Sequence, residues 1–527
     1  MVEFMHSFEM LTKISGNPVW SDRCEDIAFN SLPAAITPDW KGLHYLTCAN
    51  QVLLDRHNHA PGIENGGTMF SYSPFEVYRC CQHNVSHGWP YYAEELWLAT
   101  PDRGLCASLY AASEVTAKVG DGSTVKISEE TDYPFSDTIT LKISTQKAVK
   151  FPLHLRIPNW CDKPSAKVNR KSVSLKAEPF SSAVIDREWR DSDVVVLRLP
   201  MQVAVKTWAK NHNAVSVKYG PLAFSLKIGE NWTRYGATDA WPEWEVSPTT
   251  SWNYGLVLNE RQPAKSFEIV KPTPDPSRRG ELRGSALLPG GVGGGFNQSG
   301  GTRAAGSLSA SPFTAQTVPI MLRARAQKIP VWKLDRFGLV GKLQDSPVRS
   351  DESAETVTLI PMGAARLRIS AFPVIGTGKT AHEWTEPKPP PLSASHCFEQ
   401  DSVEAMIDGL EPKSSNDHSI PRFTWWDHRG TAEWVEYDFD KRRTVSGVAV
   451  YWFDDAPNGG CRAPRSWTLL YKSGDAWKPV DGASEFGAKL NAYNRVTFKP
   501  VETTGLRIEA QLQQDFSGGI LEWKIQP

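Results

Sequence analysis

The sequence contains no apolar run long enough to cross a bilayer as a helix, so no membrane-spanning helix is expected. Neither sign of charge dominates: 58 Lys+Arg stand against 59 Asp+Glu, for a formal charge of −1. With no basic run, the chain lacks the electrostatic footprint that holds nucleic-acid phosphates, and nucleic acid is not an expected partner. The opening residues, MVEFMHSFEMLTKISG, show no basic segment followed by an apolar one, so no export signal is read and the compartment is left unassigned. HExxH, GxSxG, the P-loop and a GxGxxG between strand and helix do not occur, which removes several common enzyme signatures. No internal repeat supports a solenoid or propeller. Cysteine is sparse: Cys24, Cys48, Cys80, Cys81, Cys106, Cys161, Cys397 and Cys461 are spread too widely for a small disulfide scaffold.

What is abundant is tryptophan, 20 residues in 527, alongside 38 Pro and 39 Gly. Trp combines a large apolar face with one polar handle, so it suits β cores and sugar-stacking sites. At roughly 100–200 residues per domain, the length predicts about three or four domains.

Apolar residues at Phe4, Met5, Phe8 and Leu11 predict a first helix ending at Gly16-Asn17-Pro18. A second is expected from Ser21 to Ser31, stopping before Pro33, and a third over about 84–100 with Pro90 in its first turn. From about 103 the pattern becomes period-two, as in TITLKIS, FPLHLRIP and DVVVLRLPMQVAVK, and predicts a β-sandwich over 103–230. A second β-rich domain is expected over 231–385, interrupted by a Gly/Ser/Pro-rich insertion at 271–312 that is too poor in apolar residues to fold. A stiff Pro-rich linker, 386–396, precedes a β-sandwich at 397–527 that holds seven Trp.

The residues most suggestive of chemistry are Tyr78-Arg79-Cys80-Cys81-Gln82-His83-Asn84, read as a loop before the third helix. Adjacent side chains diverge in regular structure, so the two thiols are not simple core neighbours. A helix N-terminus favours a thiolate, and zinc would enforce one. Two adjacent cysteines supply at most half of a four-ligand zinc site, and two inert thiols beside an ordinary His83 fit the residues equally well. His44, His57, His59, Glu64, His83 and His87 flank the pair as weaker sugar-site candidates. Glu94 and Glu95 are expected on a solvated helix face.

The runs SDRCEDIAFNSLPAAITPDWKGLHYLTCANQ (21–51), NGGTMFSYSPFEVYRCCQHNVSHGWPYYAEELWLAT (65–100) and SWNYGLVL (251–258) resemble the β-L-arabinofuranosidase-like proteins of glycoside hydrolase family 127. The likeness spans residue 2 to about 375 outside the Gly-rich insertion, and the cysteine pair is its most specific part. It implies a mixed, mostly β chain: the remnant of an (α/α)6 barrel over 1–102, followed by β-sandwich domains. It further implies retaining hydrolysis of plant-wall or other glycans, with Cys80 as nucleophile and Cys80 and Cys81 as zinc ligands. The family's acid/base Glu and a third zinc-binding Cys fall in a Glu-x-Cys motif expected just before Val2. Glu3 matches a position after that motif and does not take the acid role. The resemblance therefore implies a fragment or a mis-started reading frame, with zinc held only if the site is complete. Residues 397–527, with AMIDG, FTWWD and GGILEWKI, resemble a discoidin-type jelly-roll sandwich, which implies sugar binding. The candidates there are Trp425, Trp426, Asp427, Trp452, Asp454 and Arg462, with most Trp assigned to core. A non-catalytic carbohydrate-binding protein is the alternative reading.

Overall fold

The computed structural model describes every residue except 58, 60–62, 64–68, 75–78, 272–311, 336, 337, 379, 386–390 and 527. The expected insertion therefore lies outside the described residues. The chain forms two compact units, the first comprising residues 1–57 and 67–385 and the second 58–66 and 386–527. The whole is mixed and mostly β, as the sequence predicts.

In the first unit, helix α1 (Val2–Ser15) buries Val2, Met5, Glu9 and Thr12, a single stripe at helical spacing. Gly16 ends it in the left-handed region (φ 64°), with its N–H bonded to the Thr12 carbonyl at 2.8 Å. Asn17 Oδ1 then accepts from the Val19 N–H at 3.0 Å and starts α2 (Val19–Asp26). Pro33 does not stop the chain where expected. A π-turn over Ile27–Ser31 has already interrupted the regular ladder, and Pro33 sits in the first turn of the short α3 (Leu32–Ala34), where no N–H is needed from it. The expected third helix is instead two, α4 (Arg79–Val85) and α5 (Gly88–Glu94), followed by a strand, Trp97–Ala99. Gly88 packs so closely on Leu32 that a Cβ would lie 2.6 Å from its Cδ2, which ties the start of α5 to α3.

The strand Trp97–Ala99 is the edge of a four-stranded sheet that continues through Leu105–Ala107, Val149–Ile157 and Ser181–Trp189. A six-stranded sheet contributes to the same hydrophobic core, and Ile139, Leu141 and Ile143 alternate inward as the period-two pattern requires. The expected boundary at 230 moves back to about 200. Strands Val203–Trp208, Ala214–Tyr219 and Leu222–Leu226 belong to the next sheet, because Leu222–Leu226 pairs with Glu355–Pro361, itself paired with Met321–Lys328. Pairings separated by this much chain are invisible to local periodicity.

Helices and strands are joined through Arg156. Its buried guanidinium bonds the carboxylates of Asp22 and Glu25 on α2 and the Ser108 carbonyl. Tyr133 donates to Glu25 Oε2 (2.9 Å), Tyr110 donates to the Arg156 carbonyl (2.6 Å), and Asp22 Oδ2 accepts from the Asn159 N–H (2.8 Å).

In the second unit, one hydrogen-bonded sheet runs Phe423–Thr424, Gly519–Gln526, Ala432–Phe453, Asn494–Gln511, Ser466–Ser473, Ala476–Pro479. Residues Leu392–Ala394, assigned from sequence to the linker, pair with Ala432–Phe453 as a further strand. Register breaks at Asp438/Arg443 and Val445/Gly447 let that strand of 22 residues bend between neighbours. Trp425, Trp452, Trp467 and Trp523 fill the core. In the strand around Trp434 it is Glu433 and Val435 that face inward, whereas Trp434 lies partly exposed beneath Arg507 (4.8 Å).

Two outcomes follow. Arg156→Met strands the buried carboxylate of Glu25 and the half-buried one of Asp22 and should cost about 3–5 kcal/mol in urea unfolding, whereas an unchanged midpoint would show that the network contributes nothing. Burial pushes the Glu129 carboxyl up to about 8, so folded protein keeps a proton that unfolded chain releases above its ordinary value near 4.5. Its contribution to stability is therefore lost as pH rises from about 4.5 to about 8. Glu129→Gln should match the wild type near pH 4.5 and exceed it at pH 8 in thermal melts; parallel pH profiles would refute this assignment.

Candidate functional site

The cysteine pair lies in the first turn of α4 and not in a loop before a helix. Cys80 is exposed and Cys81 half-buried, with sulfurs 3.9 Å apart. Gln82 Nε2 donates to the Pro74 carbonyl (2.9 Å), which fastens this turn to the segment that precedes it. That segment is anchored in turn: Leu43 and Ser73 exchange backbone bonds, Ser73 Oγ donates to Glu243 Oε1 (2.7 Å), and Tyr72 pairs with Trp244. A tetrahedral zinc site with Zn–S near 2.3 Å has S···S edges of roughly 3.8 Å, so the pair's spacing suits two corners of one. Among the described residues, however, no group of three or more His, Cys, Asp or Glu is placed to hold a metal. Among the described residues, Cys80 and Cys81 fit half of a zinc site and no others complete it.

The histidines diverge. His83 and His87 are exposed, His87 leading into α5 and meeting the edge of Tyr91 at 5.6 Å. His57 is exposed beside Asp55 (3.3 Å), His59 is buried, and Glu64 lies outside the described residues. His44 is buried against Tyr72, and burial, reinforced by Arg368, pushes its imidazole down to about 3. Such a ring stays neutral and belongs to the interior, which corrects its reading as a sugar contact. Glu94 is exposed as expected, but Glu95 is buried and paired with Lys13 of α1. Glu3 is exposed in the first turn of α1.

Sequence reasoning missed Glu9, which occupies the buried stripe of α1 and accepts from Cys24 Sγ at 3.4 Å. Burial pushes its carboxyl up to about 7. A carboxylate at an apolar stripe position was the available signal.

In the second unit, Trp425 and Trp452 are fully buried and cannot offer a ring face to a sugar, correcting two candidates. Asp454 is buried and accepts from the Ala456 and Ala463 N–H groups at 3.0 and 3.1 Å, so it shapes its own loop. Arg462 bonds Asp455 and the Gly459 carbonyl and covers the Phe516 ring at 4.4 Å. Trp426 is partly exposed under Arg429 (4.7 Å), and Asp427 is exposed.

Comparison with known families places the α4 pair in context. The description "Beta-L-arabinofuranosidase, GH127 catalytic domain" matches residues 1–94, and "Beta-L-arabinofuranosidase, GH127 middle domain" matches 104–201. Over these residues the chain is similar to the catalytic and middle domains of glycoside hydrolase family 127. Solved structures similar to this chain include a GH127 β-L-arabinofuranosidase from Geobacillus stearothermophilus T6, 19% identical over 73% of this chain and 49% of that one (TM-score 0.46). A second GH127 β-arabinofuranosidase is 17% identical over 70% of this chain and 48% of its own (TM-score 0.47). The chain spans about half the length of these relatives. The family 32 carbohydrate-binding module of C. perfringens NanJ, solved with galactose, is 19% identical over 25% of this chain and 90% of its own (TM-score 0.20).

Exposure separates the thiols of this chain. Burial raises Cys106 and Cys161 to about 11 and Cys461 to about 12, and raises Cys24 further. Limited iodoacetamide labelling at pH 8 followed by peptide mapping should therefore mark Cys80 before those four. Earlier labelling of any of them would contradict the placement of α4.

Proposed function

We propose that this chain carries part of a retaining glycoside hydrolase acting on β-L-arabinofuranosides or related plant-wall sugars, with Cys80 as nucleophile. The observation that carries the reading is the adjacent, exposed-to-half-buried cysteine pair of α4, inside the segment that matches the GH127 catalytic domain. Cys80 Sγ, as thiolate, attacks the anomeric carbon. The C–S bond forms as the glycosidic C–O bond breaks, and the departing oxygen keeps the electron pair and takes a proton from an acid outside the described residues. Water then attacks the same carbon, the C–S bond breaks, and the thiolate returns while the water's proton passes to that same group as base. Two displacements retain configuration. A thiol nucleophile departs from the usual two-carboxylate arrangement.

Cys81 is the residue we assign to a zinc ion shared with Cys80, the remaining ligands lying outside the described residues. The second unit is proposed to bind glycan, with Trp426 as its remaining aromatic candidate among the three named from sequence.

Turnover of an aryl β-L-arabinofuranoside with zinc near one per chain, both lost in Cys80→Ser, is the expected result. Turnover that survives Cys80→Ser would overturn the nucleophile. Glycan retention in affinity electrophoresis with neither zinc nor turnover would favour a non-catalytic binding protein.

A further inference from the structure

Arg366 and Arg368 place two positive charges in the interior of the first unit, 3% and 0% exposed. Burying a charge costs several kcal/mol unless it is paired or fully hydrogen-bonded. Every hydrogen bond the two arginines make goes to a neutral acceptor. Arg368 is fully engaged. Its Nε donates to the Cys48 carbonyl (2.9 Å), Nη1 to the Ala365 and Arg366 carbonyls (3.3 and 3.0 Å), and Nη2 to Gln51 Oε1 (3.0 Å) and to the Thr47 hydroxyl. It closes the loop 47–51 onto the strand Arg368–Ile369, and that role accounts for it.

Arg366 is different. Nη1 donates to the Phe313 and Gly363 carbonyls (3.0 and 2.8 Å), but buried Nε has no acceptor, and among the described residues Nη2 has none either. The Nε/Nη2 edge is the side of a guanidinium that presents two parallel N–H groups, the geometry that matches a carboxylate or phosphate. Arg368 is charged, and His44, on which both arginines act, is neutral. Glu230 is the carboxylate whose charge reaches Arg366, and its Oε2 is engaged by Trp232 Nε1 at 3.0 Å.

We infer that the Nε/Nη2 edge of Arg366 binds a small oxyanion, a carboxylate or a phosphate. The neutral carbonyls on Nη1 hold the guanidinium in place, and the anion supplies the charge that the protein does not.

The test is a thermal melt of the full chain in sodium acetate or sodium phosphate against sodium chloride at equal ionic strength. An anion near 100 times its Kd should raise Tm by about 2–4 °C. A rise in acetate alone assigns a carboxylate, in phosphate alone a phosphate, and in both the shared chemistry. Arg366→Lys keeps the charge and loses the planar edge, so it should lose the rise. An equal rise in that variant overturns the site. If the variant does not fold, titration calorimetry of the wild type with the same two salts decides: one site per chain supports the inference, and no binding at millimolar anion refutes it.

Discussion

The buried guanidinium of Arg156 is the interaction on which the first unit depends. It sits on the strand Val149–Ile157, yet its ion pairs are made with Asp22 and Glu25 of α2, so one side chain fixes a helix to a sheet contributed by residues far along the chain. In such surroundings neither charge can be left alone, and the geometry of the helices relative to the strands becomes all-or-none. Burial pushes the Glu25 carboxyl up even with Arg156 beside it, while the Tyr133 hydroxyl bond acts in the opposite direction.

The position of the cysteine pair is inherited from this framework. α1 and α2 pack on each other, Gly88 lets α5 rest against Leu32, and α5 leads into the edge strand Trp97–Ala99 of the sheet that Arg156 anchors. α4 is held between, through Gln82 and the Ser71–Ser73 segment that pairs with Leu43 and Trp244. A surface helix of seven residues has little stability of its own, so the orientation of Cys80 depends on these contacts rather than on helix propensity.

Much of this was legible in the sequence. Gly16 as a helix stop and the alternation through Ile139, Leu141 and Ile143 follow from local rules, whereas the reading of Cys80-Cys81 as a site rests on the family resemblance. What failed were properties set by distant partners. Pro33 reads as a terminator because the π-turn before it leaves no sequence mark, and Leu96 and Trp97 fit a helical stripe as well as the strand they enter. The sheet boundary near 200 depends on Glu355–Pro361 reaching back across the chain. Trp452 could not be told from a surface aromatic because its strand shifts register at Tyr451/Trp452 and is buried on both faces there, and Trp425 follows a strand of two residues, too short for alternation to be read. Arg366 and Arg368 look like the polar half of an alternating strand, yet both faces of that segment are covered.

The most direct test of the account is to find where the sugar becomes attached. Protein mixed with an aryl β-L-arabinofuranoside is quenched in acid and its peptides are weighed. The account predicts one pentosyl group on the peptide containing Cys80, lost on incubation with water or a thiol. A pentosyl group on a carboxylate-bearing peptide, or none in a preparation that releases the aryl group, would contradict it.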